Sequence, residues 1–225
     1  MLINHHPSDA LIMAYTSGSL NMALAIAVET HIALCPDCLQ TMRNWETVGG
    51  TLLEDIEPTD LDPDALEATF ARIERAKEKK QITCEPIARS THPEKQEFVL
   101  PGPLARRLGF YTIDEKKWRW FAPGIESIAI VPPEKGAGRT DLFRIQPGTK
   151  LVEHGHHGTE LTLVLSGSFN DRGTTYKAGE LSEIDEDIEH QPYVDSDVPC
   201  ICLVAIGAPI RYKGFARLLQ PLFRY

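Results

Sequence analysis

The sequence predicts an α+β protein in two parts, a small helical domain followed by an all-β sandwich or barrel. Three observations carry this expectation. Residues 8 to about 50 are rich in Ala, Leu and Met at helical spacing. Residues 81–103, "QITCEPIARSTHPEKQEFVLPGP", hold four prolines and no sustained period, as a linker does. From residue 104 onward the chain changes to short β-rich runs separated by Gly, Pro and Asp turns at fairly even intervals. The expected boundaries are therefore 1–80 for the helical domain, 81–103 for the linker and 104–225 for the β-domain.

Taken in order, Ser8/Asp9 is a start signal for a helix in "SDALIMAYTSGSL", and Asn21 can cap "NMALAIAVETHIAL". Pro36 stands where a new helix would begin, and "PDCLQTMRNWETVGGTLLE" reads as helical up to a break at Gly49/Gly50. "EDIEPTDLDPD" is an acidic connector. A further helix is expected in "PDALEATFARIERAKEKK", where Leu66, Phe70 and Ile73 mark one apolar face that either packs within its own domain or docks a partner. The strand candidates are "WRWFAPGIESIAIVP", "DLFRIQPG", "ELTLVLSGSFND", "TTYKAGELSEI" and "PCICLVAIGAP".

Composition narrows the function classes. A chain of 225 residues can bury one large core or two small ones. No apolar run approaches the roughly 20 residues that span a bilayer, and "MLINHHPSDALIMAY" lacks a basic stretch before an apolar core, so no signal peptide is read. A cytoplasmic protein without a membrane partner is the expectation. Five cysteines, with close pairs at Cys35/Cys38 and Cys200/Cys202, do not form a secreted disulfide framework. A net charge of −9 argues against direct nucleic-acid binding.

The first chemical constellation is "HIALCPDC". A structural zinc ion takes four ligands, preferably thiolates and imidazoles. His31 and Cys35 are four apart, so a helical turn stacks them, and Pro36 breaks the chain so that Cys38 can close on the same ion. Three donors are thus local. The fourth comes from His5 or His6 at the mouth of the first helix, and His6 is preferred because it abuts the firmly held Pro7/Ser8 start. A CxxC alone is as readily a pair of core cysteines; the histidine four residues before it and the upstream histidine favour metal. A thioredoxin-like role belongs in a βαβ context and does not fit a helical stretch.

The second constellation lies in "GTKLVEHGHHGTELTLVLSG". His154 and His156, two apart on a strand, face the same way, and Glu160 returns to that face after the turn at 157–159. His190 on a facing strand would complete three nitrogens and one oxygen, whereas alternation points His157 away. Cys200 and Cys202 also share a face of a strand; core packing is the expected role, redox chemistry the alternative.

An upstream histidine followed by HxxxCxxC in a small helical domain resembles the zinc-binding anti-sigma factors. Gly148, His154, His156, Glu160 and Gly167 resemble the first cupin motif, and Gly179 with His190 part of the second, where Asp185, Asp187 and Val194 replace the usual Pro, Gly and Asn. The two together resemble the ChrR-type anti-sigma factors over almost the whole chain. That resemblance implies a cupin double-stranded β-helix, or jelly-roll, for the β-domain. It implies zinc on His6, His31, Cys35 and Cys38, and zinc or another divalent transition metal on His154, His156, Glu160 and His190. It further implies that the helical domain inhibits an extracytoplasmic-function sigma factor and that the cupin relays an oxidant signal such as singlet oxygen. The charge agrees, since residues 1–80 hold 13 acidic and 6 basic side chains and sigma factors present basic surfaces. The alternative is a metal-dependent cupin enzyme of the dioxygenase type with an accessory helical domain; no substrate-positioning arginine or general base supports it.

Overall fold

The computed structural model describes residues 2–79, 98–113, 117–134, 138–186, 188–208 and 210–212. Residues 81–97, most of the expected linker, lie outside the described residues. Ser8 and Asn21 cap the first two helices, α1 (Asp9–Thr16) and α2 (Met22–Ile32), by accepting hydrogen bonds from the Leu11 and Leu24 amides. Pro36 occupies the first turn of α3 (Pro36–Glu54), where its missing N–H costs nothing.

Helix α3 does not break at Gly49/Gly50 but runs on to Glu54. A glycine weakens a helix by about 1 kcal/mol without blocking it, and no proline stands nearby to end the ladder. After the acidic connector comes α4 (Ala65–Lys79). A fifth helix, α5 (Gly102–Leu108), lies where the expected linker meets the expected β-domain. Its prolines hid it: Pro103 stands in the first turn, Leu104 and Ala105 are buried, and Gly109 ends it in the left-handed region with φ 75°.

Among the described residues ten strands follow, all pairing antiparallel. They are β1 (Arg119–Ala122), β2 (Ile125–Glu134), β3 (Gly138–Ile145), β4 (His154–His156), β5 (Glu160–Ser166), β6 (Ser168–Asp171), β7 (Thr174–Lys177), β8 (Leu181–Ile184), β9 (Cys200–Ile206) and β10 (Ile210–Tyr212). The main sheet has the order β1-β2-β3-β9-β5-β8, with the pairs β10-β4 and β6-β7 beside it. Arg172 and Gly173, both at positive φ, make the tight β6–β7 turn.

Alternation along the strands gives the main sheet two buried faces. Leu142, Leu161, Leu163, Leu181, Leu203 and Ala205 share a core with α1, α2 and α3, whereas Phe143, Ile145, Val164, Cys200 and Cys202 face the inside of the β-barrel. Cys200 and Cys202 are thus buried free thiols. Helix α2 lies on the sheet and is buried nearly all round, and the buried Thr140 hydroxyl of β3 donates to the Ala23 carbonyl at 3.0 Å.

The segment before α1 is strapped to the barrel along β8. The Leu181 amide donates to the His5 carbonyl at 3.1 Å. The Asn4 amide and side-chain Nδ2 donate to Glu180 Oε1 at 3.0 and 3.2 Å, and His5 Nδ1 lies 3.2 Å from Glu180 Oε2. Beyond His6, the Ser8 amide and hydroxyl donate to the Glu183 carboxylate at 2.9 and 3.0 Å. Ile3 packs on Gly179, where an added Cβ would come within 3.0 Å of its Cδ1. His6 therefore sits between two points fixed on one strand.

Candidate metal centres

The helical part brings His6, His31, Cys35 and Cys38 together, with one donor atom from each within 4.8 Å of the others. His31 comes from the last turn of α2. The turn continues past the helix end, because the Leu34 and Cys35 amides both bond the His31 carbonyl at 2.9 Å. Cys35 is then the N-cap of α3 and makes no side-chain cap bond, so its sulfur turns to the cluster, and Cys38 follows from the first turn. The sequence placed His31 and Cys35 on one helix face; they lie instead on either side of a helix junction, with the same result for the donors.

The separations fit a tetrahedral ion. Cys35 Sγ and Cys38 Sγ lie 3.4 and 3.3 Å from His6 Nδ1, and Cys38 Sγ lies 3.3 Å from His31 Nε2. Bonds of about 2.3 Å to sulfur and 2.0–2.1 Å to nitrogen at the tetrahedral angle would put such donors about 3.5–3.6 Å apart. Electrostatics fit as well. Burial first, and then the neighbouring His6, lower the His31 pKa to about 4, so its imidazole is neutral and keeps a lone pair. Burial, then Cys35, push the Cys38 thiol up, so a metal ion must displace a proton there. His5 is turned away to Glu180, which separates it from its neighbour His6.

The barrel brings His154, His156, Glu160 and His190 together in the same manner, all four buried. His154 and His156 point inward from β4, and Glu160 begins β5 after the turn. His190 bridges back to His154, each amide donating to the other's carbonyl at 3.1 and 3.0 Å. His156 Nε2 lies 3.0 Å from His190 Nε2 and 3.2 Å from Glu160 Oε2; the Glu160 carboxylate is 4.0 Å from His154 and 3.8 Å from His190. Donors around one ion with bonds of about 2.0–2.2 Å lie about 2.8–4.4 Å apart, from right-angle to opposed ligands.

The rings are held from behind. His154 Nδ1 donates to the Val152 carbonyl and His190 Nδ1 to Asp171 Oδ2, both at 2.8 Å, which leaves each Nε2 facing the cluster. Burial opposes ionisation of Glu160, but the neighbouring imidazoles of His154, His156 and His190 outweigh it and hold its pKa down at about 2. A carboxylate among imidazoles is the arrangement that a cation would find ready. Asp171 escaped the sequence reading because "NDRG" reads as a turn; only the finished barrel puts β6 behind His190.

Residues 106–209 match the family model described as the ChrR cupin-like domain. The whole chain aligns with the anti-sigma-E factor ChrR of Cereibacter sphaeroides, at 36% identity over 225 residues covering 100% of both. The chain belongs to the ChrR family of anti-sigma factors. A crystal structure of Rhodobacter sphaeroides SigE in complex with the anti-sigma ChrR matches with a TM-score of 0.71 and 32% identity, covering 91% of this chain and 99% of that one. ChrR membership decides between the regulator and the enzyme in favour of the regulator. It also carries the two-part α+β architecture with a cupin barrel. No single helix among the described residues is long and apolar enough to cross a membrane.

Proposed function

We propose that this chain binds an extracytoplasmic-function sigma factor through residues 1–80, keeps it from RNA polymerase, and releases it when the barrel registers an oxidant such as singlet oxygen. The observation that carries the docking step is a run of apolar side chains left exposed among the described residues. Leu53, Leu61 and Phe70 are 69, 81 and 57% exposed, and Val48, Leu52, Ile56, Leu66 and Ile73 are exposed with them along α3, the connector and α4. Exposed apolar side chains repeated along this stretch of the chain support a docking role. Acidic residues interleave with it, notably Glu54, Asp55, Glu57, Asp60, Asp62, Asp64 and Glu67. They steer a basic partner while the apolar groups supply affinity.

Zinc is the ion that the Cys and His donors of the first cluster favour, with His6, His31, Cys35 and Cys38 as ligands. We assign His154, His156, Glu160 and His190 as ligands of zinc or another divalent transition metal in the barrel. A divalent ion held there would supply Lewis acidity. Of the chain's own residues, the Val152 carbonyl holds the His154 ring and Asp171 holds the His190 ring. A sigma-factor partner also places the chain in the cytoplasm.

The test is transcription by RNA polymerase with the cognate sigma factor. Adding the full chain should abolish transcripts, oxidant should restore them, and His154→Ala with Glu160→Ala should inhibit without responding. Restoration by oxidant in that double variant would overturn the sensor assignment.

A further inference from the structure

The hairpin of β6 and β7 reaches from one metal centre to the other. Its strands pair with each other as a sheet of their own, with Asp171 opposite Thr174 at the turn end and Phe169 opposite Tyr176 further along. At the turn end, the buried Asp171 carboxylate accepts from His190 Nδ1 at 2.8 Å. At the other end, β7 meets the strap twice. The Tyr176 ring lies 4.8 Å from the His5 ring, centroid to centroid, and the Lys177 amide donates to Glu180 Oε2 at 2.9 Å. The same carboxylate holds the Asn4 amide and His5, the residue before His6. Between the two ends, Phe169 and Tyr176 stack at 5.1 Å with their planes 18° apart, and Phe169 is buried in the barrel core.

Order can therefore pass along packed groups from His190 to His6. When His190 Nε2 is held by an ion, its ring is fixed, and Asp171 and β6 are fixed behind it. The stacked Phe169 and Tyr176 then give His5 a firmer wall to lie against. His6 loses freedom when it takes up its own ion, and a strap already ordered has less to lose. Linkage makes the effect mutual, so filling the first centre must tighten the barrel by the same factor.

We propose that the two centres bind their ions cooperatively through the β6–β7 hairpin, with Tyr176 as the positioning residue that joins order in the barrel to the segment carrying His6. The inference rests on the two ligand sets assigned above and not on the sigma factor.

Titration of the full chain with cobalt(II) tests this. Thiolate-to-cobalt absorption reports the first centre, which has Cys35 and Cys38, and not the barrel set, which has no thiolate. The His154→Gln/His156→Gln chain empties the barrel while leaving the contact between His190 and Asp171 in place. Its first-centre affinity should be at least about fivefold weaker than that of the unaltered chain, the low end of typical coupling between sites. Tyr176→Leu should lose a similar factor in the unaltered background but less than about twofold in the emptied one, and Tyr176→Phe should keep the full affinity. A residue that only supports the fold would cost the same in both backgrounds. Phe169→Leu breaks the same stack from the other strand and gives the same reading should Tyr176→Leu not fold. Equal first-centre affinity with the barrel filled or emptied, or an equal cost of the ring substitutions in both backgrounds, would overturn the proposal. The count of bound cobalt separates the two readings: two ions per chain without coupling counts against the proposal alone, whereas one ion per chain overturns the barrel ligand assignment and the proposal with it.

Discussion

Replacing Glu180 by alanine should loosen the hold on metal of a histidine that Glu180 does not touch. The buried Glu180 carboxylate takes three contacts from the strap, the Asn4 amide at 3.0 Å, Asn4 Nδ2 at 3.2 Å and His5 Nδ1 at 3.2 Å, and one from the Lys177 amide at 2.9 Å. Burial opposes its ionisation, and the Lys177 and Asn4 amides with the His5 and Asn4 side chains outweigh burial and hold its carboxyl below the usual range. A hydrogen bond to a charged group is worth about 1.5–3 kcal/mol, but water recovers part of three that share one carboxylate. A net loss of about 2 kcal/mol follows, or roughly 30-fold in metal affinity, inside the range of about 10–100-fold for groups that support a ligand from behind. Chelator competition on the zinc-loaded full chain reads this directly. Glu183→Ala, whose contacts to Ser8 are exposed, should cost only a few-fold. A zinc affinity for Glu180→Ala within twofold of the unaltered chain would refute the reasoning that the strap places His6.

Further outcomes follow from the same geometry. Because His31 is held near 4 against an ordinary 6.5, the unfolded chain takes up a proton between those values that the folded chain refuses. Stability of the chelated protein should therefore rise with pH across that window, by about 3 kcal/mol in urea melts, and His31→Gln should flatten the rise. Phe70→Asp on exposed α4 should weaken sigma-factor binding by about 2 kcal/mol, near 30-fold by titration calorimetry, without lowering the melting temperature. Gly167 sits at φ 72° with the Pro199 carbonyl 2.7 Å from where a Cβ would stand, so Gly167→Ala should cost about 1–3 kcal/mol in a denaturant melt and leave first-centre zinc affinity unchanged.

Much of this arrangement was legible in the sequence where chemistry and spacing coincide. His31, Cys35 and Cys38 lie within eight residues, so local backbone geometry alone gathers them, and the alternation of His154 and His156 fixes a common face. The choice of His6 over His5 was readable from Pro7/Ser8, but its physical cause is long-range: Glu180 takes His5 away. Glu180 itself reads in "AGELSEI" as a solvent-facing strand residue, and nothing local marks it as a clamp. The same limit hid Asp171, whose role arises only when β6 closes behind His190. Helix α5 was missed because prolines that open a helix look like prolines that prevent one. The sequence also did not show how closely the two parts join. Leu161 and Leu163 of β5 and Leu203 of β9 carry no local sign of which face they serve, and they face the helices.

The most direct measurement is competition for the cognate sigma factor between the zinc-loaded full chain and core RNA polymerase. The account predicts a tight one-to-one complex that displaces polymerase, that weakens on Phe70→Asp, and that dissociates when chelator strips the first centre. A sigma factor that stays on polymerase at saturating chain, or a complex indifferent to both perturbations, would contradict it.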